Sequence, residues 1–139
     1  MAYWLVKSEP FKYSWEQLQK DGRTHWDGVR NHQAALNLKG MKKGDRVFFY
    51  HSNEGLAVVG VCEVAKEAYP DPSDEAGRFV MVDVKPVVEM PRPVTLKEIK
   101  ADPALEGIAL VRQSRLSVMP IEPAHWKHIC RLGGLKKVP

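Results

Sequence analysis

The chain has 139 residues, 44% of them hydrophobic and 27% charged, with a formal net charge of +4, the profile of one ordinary globular domain rather than two. Cys62 and Cys130 stand far apart without a C-x-x-C spacing, which excludes a disulfide framework and a zinc finger and fits a cytoplasmic protein. No apolar run approaches the roughly 18 residues of a membrane span, and Met1 leads straight into strand-like Tyr3-Trp4-Leu5-Val6, so neither membrane insertion nor secretion is expected.

Residues 3–7 read as a short strand. Ser14-Trp15-Glu16-Gln17 has capping-box spacing and predicts a helix to about residue 20, stopped by Asp21-Gly22. Asn31 can cap a second helix through Ala34, Ala35, Leu36 and Leu38, with Gly40 as its stop. After the Lys43-Gly44-Asp45 turn, residues 46–51 are rich in aromatic and branched residues and read as a strand. Residues 56–64 carry valines on both alternating faces, as a centrally covered strand does.

Residues 69–77, with two prolines and a glycine, predict a surface loop. Residues 78–88 predict a second long strand, Pro86 marking an edge or bulge, and Pro91-Arg92-Pro93 a break. Thr95-Leu96-Lys97-Glu98 is a further capping box, residues 103–106 a turn, and Pro123 suits the first turn of a final helix over 124–132, ended by Gly133-Gly134. Strands without regular helical alternation indicate an α+β domain on a mixed or antiparallel curled sheet.

The small net charge hides an uneven distribution. Residues 1–60 carry nine Lys/Arg against six Asp/Glu, residues 61–111 six against ten, and residues 112–139 six against one. Net charges of +3, −4 and +5 make a basic face wherever the two ends of the chain meet, and such a face steers polyanions.

Phosphate-cradling glycine loops are absent, which disfavours common nucleotide enzymes. His51-Ser52 places a base beside a nucleophile, but neighbours on a strand point to opposite faces. His125 and His128 share a helix face near Cys130 without the further ligands that a metal site needs. No catalytic residue, metal or cofactor is expected.

Three clusters interleave aromatic rings with polar hydrogen-bonders: residues 4–10, 26–31 and 48–53. A nucleobase presents a flat π-face and a donor/acceptor edge, so a pocket for one needs this mixture. Taken singly, Trp4, Phe48 and Phe49 are more often core than cage.

Together the stretches YWLVKSEP (residues 3–10), WDGVRNHQA (26–34), MKKGDRVFFYHSN (41–53), EAYPD (67–71), MVDV (81–84) and RLSVMPI (115–121) resemble the EVE domain family of the PUA-like superfamily, related to the YTH readers of methylated adenine. The resemblance implies one PUA-like domain over residues 1–139: a curled, barrel-like mixed sheet surrounded by short helices, with a pocket on a basic surface. It implies a non-enzymatic module holding a modified, flipped-out base, a modified cytosine in DNA or a modified base in RNA. Trp26 is then the stacking wall, with Trp4 and Tyr50 as second candidates. Lys7, Ser8, Arg30, Asn31, His51, Ser52, Arg115 and Ser117 form the polar or phosphate-facing set.

Asn31 can both cap its helix and offer its amide nitrogen, because a cap uses only the oxygen. Two departures from the family pattern stand out: His32 replaces a usual tyrosine and Phe79 a common tryptophan. The expected partner is nucleic acid, and a partner protein such as a nuclease is compatible with it. Two other readings stay open at this point: an enzyme or enzyme subunit acting on modified nucleic acid, and a small-molecule or protein-interaction domain using the same pocket.

Overall fold

In the computed structural model, which describes residues Met1–Pro139, six strands form one mixed sheet. They are β1 (Tyr3–Ser8), β2 (Thr24–Trp26), β3 (Arg46–His51), β4 (Ala57–Pro70), β5 (Val80–Thr95) and β6 (Val118–Pro120). Their order is β2-β5-β4-β3-β1-β6. β1 and β3 run parallel and every other pair is antiparallel. The expected curled α+β architecture therefore forms as an open half-barrel, with β2 and β6 as its edges. Short helices surround it: α1 (Trp15–Asp21), α2 (His32–Gly40), α3 (Leu96–Ala101), α4 (Ala109–Arg112) and α5 (Pro123–Leu132).

Local sequence chemistry sets the helix starts. The Ser14 hydroxyl accepts from the Gln17 amide at 3.1 Å, and Asn31 Oδ1 accepts from the Ala34 amide at 2.9 Å. Thr95 and Glu98 complete a reciprocal box. Gln17 does not reach back as expected, because its amide donates to Asp21 at 2.9 Å instead. Nor does Gly40 stop α2 by a left-handed turn, since Met41 caps the helix in extended backbone. Gly40 is where the Trp4 ring passes: an added Cβ would lie 3.2 Å from it.

Three expectations about the chain's middle are corrected. Residues 69 and 70 still belong to β4, β5 begins at Val80, and Pro91-Arg92-Pro93 lies inside β5 instead of breaking it. The register jumps between the Val58–Val94 and Gly60–Glu89 pairs, so those prolines occupy chain that the β4 ladder skips. The Arg92 amide donates to the Gly133 carbonyl at 3.0 Å, giving the excursion a partner outside the sheet. The edge strands β2 and β6 and the helix α4 carry no local signal of their own.

Adjacent Phe48 and Phe49 on β3 point to opposite faces, and both are fully buried. On one face Trp126 of α5 stacks on Phe48, ring centroids 3.8 Å apart, and on Tyr3 at 4.6 Å. On the other face Phe49 meets Trp15 at 5.6 Å and Trp26 at 5.5 Å, both edge-on. Gly60 of β4 makes room for Trp15, since a Cβ there would fall 2.5 Å from the indole.

Candidate functional site

Both parallel strands end at one cleft of about 920 Å³, a size suited to a compact ligand. The end of β1 contributes Lys7 and Ser8, and the end of β3 contributes Tyr50 and Ser52. The strap that leaves β2 supplies residues 26–30, and the segment before β6 supplies Ser114, Arg115 and Ser117. Leu56, Leu96 and Leu110 form an apolar part of the lining. Thus Arg30 from the first basic segment and Arg115 from the last line one cleft with Trp26.

The groups differ in how much hydrogen-bonding capacity they have left. Ser8 donates its hydroxyl to the Tyr13 carbonyl at 2.6 Å, and Lys7 Nζ donates to the Ser114 carbonyl at 2.9 Å. Burial lowers the Lys7 pKa. Tyr50 is 2% exposed, and burial pushes its phenol up to about 12, so it keeps its proton at neutral pH. Its hydroxyl has no protein partner and Arg115 forms no ion pair, leaving both available to a ligand.

The strap is held from behind by a residue that the sequence quoted only within a motif. Asp71, 2% exposed, accepts from the Gly28 amide at 2.8 Å, from Arg30 Nη1 at 3.2 Å and from the Ser73 amide and hydroxyl at 2.8 and 2.6 Å. Burial opposes its ionisation, yet the Ser73 and Gly28 bonds and the arginine outweigh it and hold the carboxyl at about 2. Arg30 also donates to Ser73 Oγ at 2.9 Å and lies 5.3 Å from the Phe79 ring centroid. His32 packs on the same ring at 5.4 Å, so the two departures from the family pattern sit against each other. Tyr13 is a second unforeseen wall: its ring meets Trp26 edge-on at 6.4 Å.

Trp4, Asn31 and His51 do not line this cleft, which corrects their grouping with the others. Trp4 lies in the core and donates its indole N–H to buried Asp45 at 3.0 Å. Asn31 spends its side-chain oxygen on the α2 cap. His51 follows strand alternation away from Tyr50 and Ser52, and its Nε2 accepts from the Trp15 amide at 3.1 Å. Burial lowers its pKa, favouring the neutral ring.

An open, curled mixed sheet framed by short helices, with its cleft at the ends of the parallel strands, is the PUA-like architecture. The chain belongs to the EVE domain family, whose model matches residues 2–132. It is 37% identical to thymocyte nuclear protein 1 of Rattus norvegicus over 94% of this chain and 73% of that protein. A crystal structure of a protein from Agrobacterium tumefaciens is 47% identical with a TM-score of 0.96, covering 99% of this chain and 97% of the other. Human THYN1, solved in complex with 5-methylcytosine containing DNA, is 34% identical with a TM-score of 0.89, and each chain is covered over 100% of its length. The relatives' names overturn the cytoplasmic expectation, since thymocyte nuclear protein 1 carries a nuclear designation. No helix is long and apolar enough to cross a membrane.

Proposed function

We propose that the cleft takes in a modified base extruded from its stack, a 5-methylated cytosine first of all, and that the module binds this base without transforming it. The observation that carries the reading is the joint lining of one cleft by Trp26, Tyr50 and Arg115, in a chain similar throughout to human THYN1, solved with methylated DNA. Trp26 supplies a wall, and stacking a base on an aromatic side chain is worth about 1–3 kcal/mol. The protonated Tyr50 hydroxyl meets the base edge, the leucines receive the methyl group, and Lys7 and Arg115 face the flanking phosphates. Arg30, bound to Asp71 and Ser73, positions the strap and adds positive potential.

Extrusion costs a few kcal/mol, so one stacked base with about two or three phosphate contacts leaves moderate affinity. Binding without turnover is supported by the engaged state of the base–nucleophile neighbours His51 and Ser52, His51 held by the Trp15 amide and Ser52 on the opposite face. Cleavage of the bound nucleic acid would then belong to a partner such as a nuclease.

The test is a panel of modified and plain cytosine and adenine oligonucleotides, as DNA and as RNA, over a salt series. The reading expects tighter binding of 5-methylcytosine strands than of plain ones, weakening with salt. Binding no better than to a neutral control and insensitive to salt contradicts it, and conversion of bound oligonucleotide on long incubation contradicts the non-enzymatic part.

A further inference from the structure

One aromatic residue near the cleft is not used by the site. Phe11 is 64% exposed, more than any large hydrophobic side chain except Met1. It sits on a tight turn from which Glu9, Lys12 and Tyr13 line the cleft. The turn is closed by the Lys12 and Tyr13 amides, which donate to the Glu9 carbonyl at 2.9 and 3.0 Å. Ser8 Oγ, donating to the Tyr13 carbonyl at 2.6 Å, ties the two feet of the turn together. Pro10 fixes one backbone torsion. Tyr13 is in turn anchored to Asp21 at 2.8 Å and set edge-on against Trp26. An apolar ring is thus held out in solvent by a braced turn, at a position fixed relative to the proposed stacking wall.

We propose that Phe11 is a wedge that enters the base stack of a duplex and fills the gap left by the extruded base, which rests on the base-binding reading of the cleft. A duplex from which one base has swung out has a gap one base thick, lined by the π-faces of its neighbours. Apolar side chains inserted at such steps hold the strands apart. The chemistry suits an aromatic ring with a cation beside it, and Lys12 follows Phe11 directly while Arg115 stands free on the same cleft. A single strand has no stack to re-form around the vacated position, so it has no need of a wedge. The inference therefore assigns this chain a duplex partner as well as a base.

The experiment compares wild type, Phe11→Ala and Phe11→Trp on a duplex with one central 5-methylcytosine and on the same strand alone, with 2-aminopurine beside the modified base reporting unstacking. Phe11 is exposed, so both variants should keep the circular dichroism and melting behaviour of the wild type. Phe11→Ala is expected to weaken duplex binding by roughly tenfold, to leave single-strand binding within about twofold, and to reduce the 2-aminopurine signal. Phe11→Trp should restore both. Equal binding of the duplex by wild type and Phe11→Ala, or an equal loss on duplex and single strand, overturns the wedge while leaving the base reading intact. Wild type that shows no preference for the methylated strand in either form overturns the base reading, and the wedge with it.

Discussion

Arg30 Nη1 lies 3.2 Å from a carboxylate oxygen of Asp71, an ion pair whose acid is wholly buried and whose base is 40% exposed. The same oxygen takes the Gly28 amide, so one carboxylate fixes both the backbone and the end of the strap that carries Trp26. Asp71→Asn retains the shape but loses the charge and one acceptor. The loss should cost on the order of 2 kcal/mol of stability, measured by denaturant unfolding. Binding of methylated DNA should weaken with it, and a variant as stable as wild type would show that the strap does not depend on this pair.

Stability should fall in two pH windows of different origin. Asp71 is ionised far more readily when folded, at about 2 against an ordinary 3.8. Its contribution is complete above about pH 4 and is lost as pH drops towards 2, on the order of 2 kcal/mol in all. His51 is lowered below its ordinary 6.5 by burial, so protonation favours the unfolded chain and stability erodes as pH falls below about 6.5. Melting temperature against pH should show both slopes, with Asp71→Asn making the lower one shallower, since Asp45, Asp83 and Glu98 are also held below their ordinary values, and His51→Gln removing the upper.

Tyr50→Phe removes a hydroxyl that no protein atom uses. Stability should stay within about 0.5 kcal/mol of wild type, while preference for the methylated base falls by roughly tenfold. Titration with methylated and plain oligonucleotides measures this, and unchanged preference would remove Tyr50 from base recognition.

Arg115→Ala should act on phosphate rather than on base identity. The slope of log affinity against log salt is expected to drop by about one, with the methylated-to-plain ratio retained. Loss of the ratio with an unchanged slope would instead place Arg115 at the base. Trp26→Ala is the opposite case, abolishing the ratio, and Lys136→Ala in the tail should keep it.

Gly60→Ala tests the face that carries Trp15. The added carbon would sit 2.5 Å from the indole, and Trp15 cannot retreat without releasing Glu89, which accepts its N–H at 3.2 Å. Overpacking of this kind costs about 1–3 kcal/mol. A variant with wild-type unfolding would show that the ring has room to move.

What the sequence disclosed depended on how far each interaction reaches along the chain. Ser14, Asn31 and Thr95 announced their helices because a cap bonds an amide three residues on. β2 and β6 are three-residue edges that exist by pairing with β5 and β1, and no run of three residues carries that information. The prolines at 91 and 93 spoke truthfully of a lost ladder, but a bulge against β4 absorbed the loss where a loop had been expected.

The site followed the same rule. Lys7, Ser8, Trp26, Arg30, Tyr50, Ser52, Arg115 and Ser117 fell into one cleft, and the charge split between the ends of the chain pointed to where Arg30 and Arg115 converge. Trp4 and His51 were misplaced because their partners, Asp45 and the Trp15 amide, are distant in sequence. Asp71 was visible only as the last letter of a motif, since its role lies in three groups from two separate segments.

The position of β1 governs how this protein is made. Leu5 and Val6 are completely buried between β3 on one side and β6 on the other. Synthesis releases β1 before its parallel neighbour β3, and Val118–Pro120 of β6 last of the three. Until β3 emerges this buried segment is an unpaired apolar strand, and until β6 emerges it keeps one open edge, a species prone to aggregate. Slowing elongation would lengthen that exposure rather than help the chain fold, and yield in the cell should depend on chaperones that shield the nascent β1 strand.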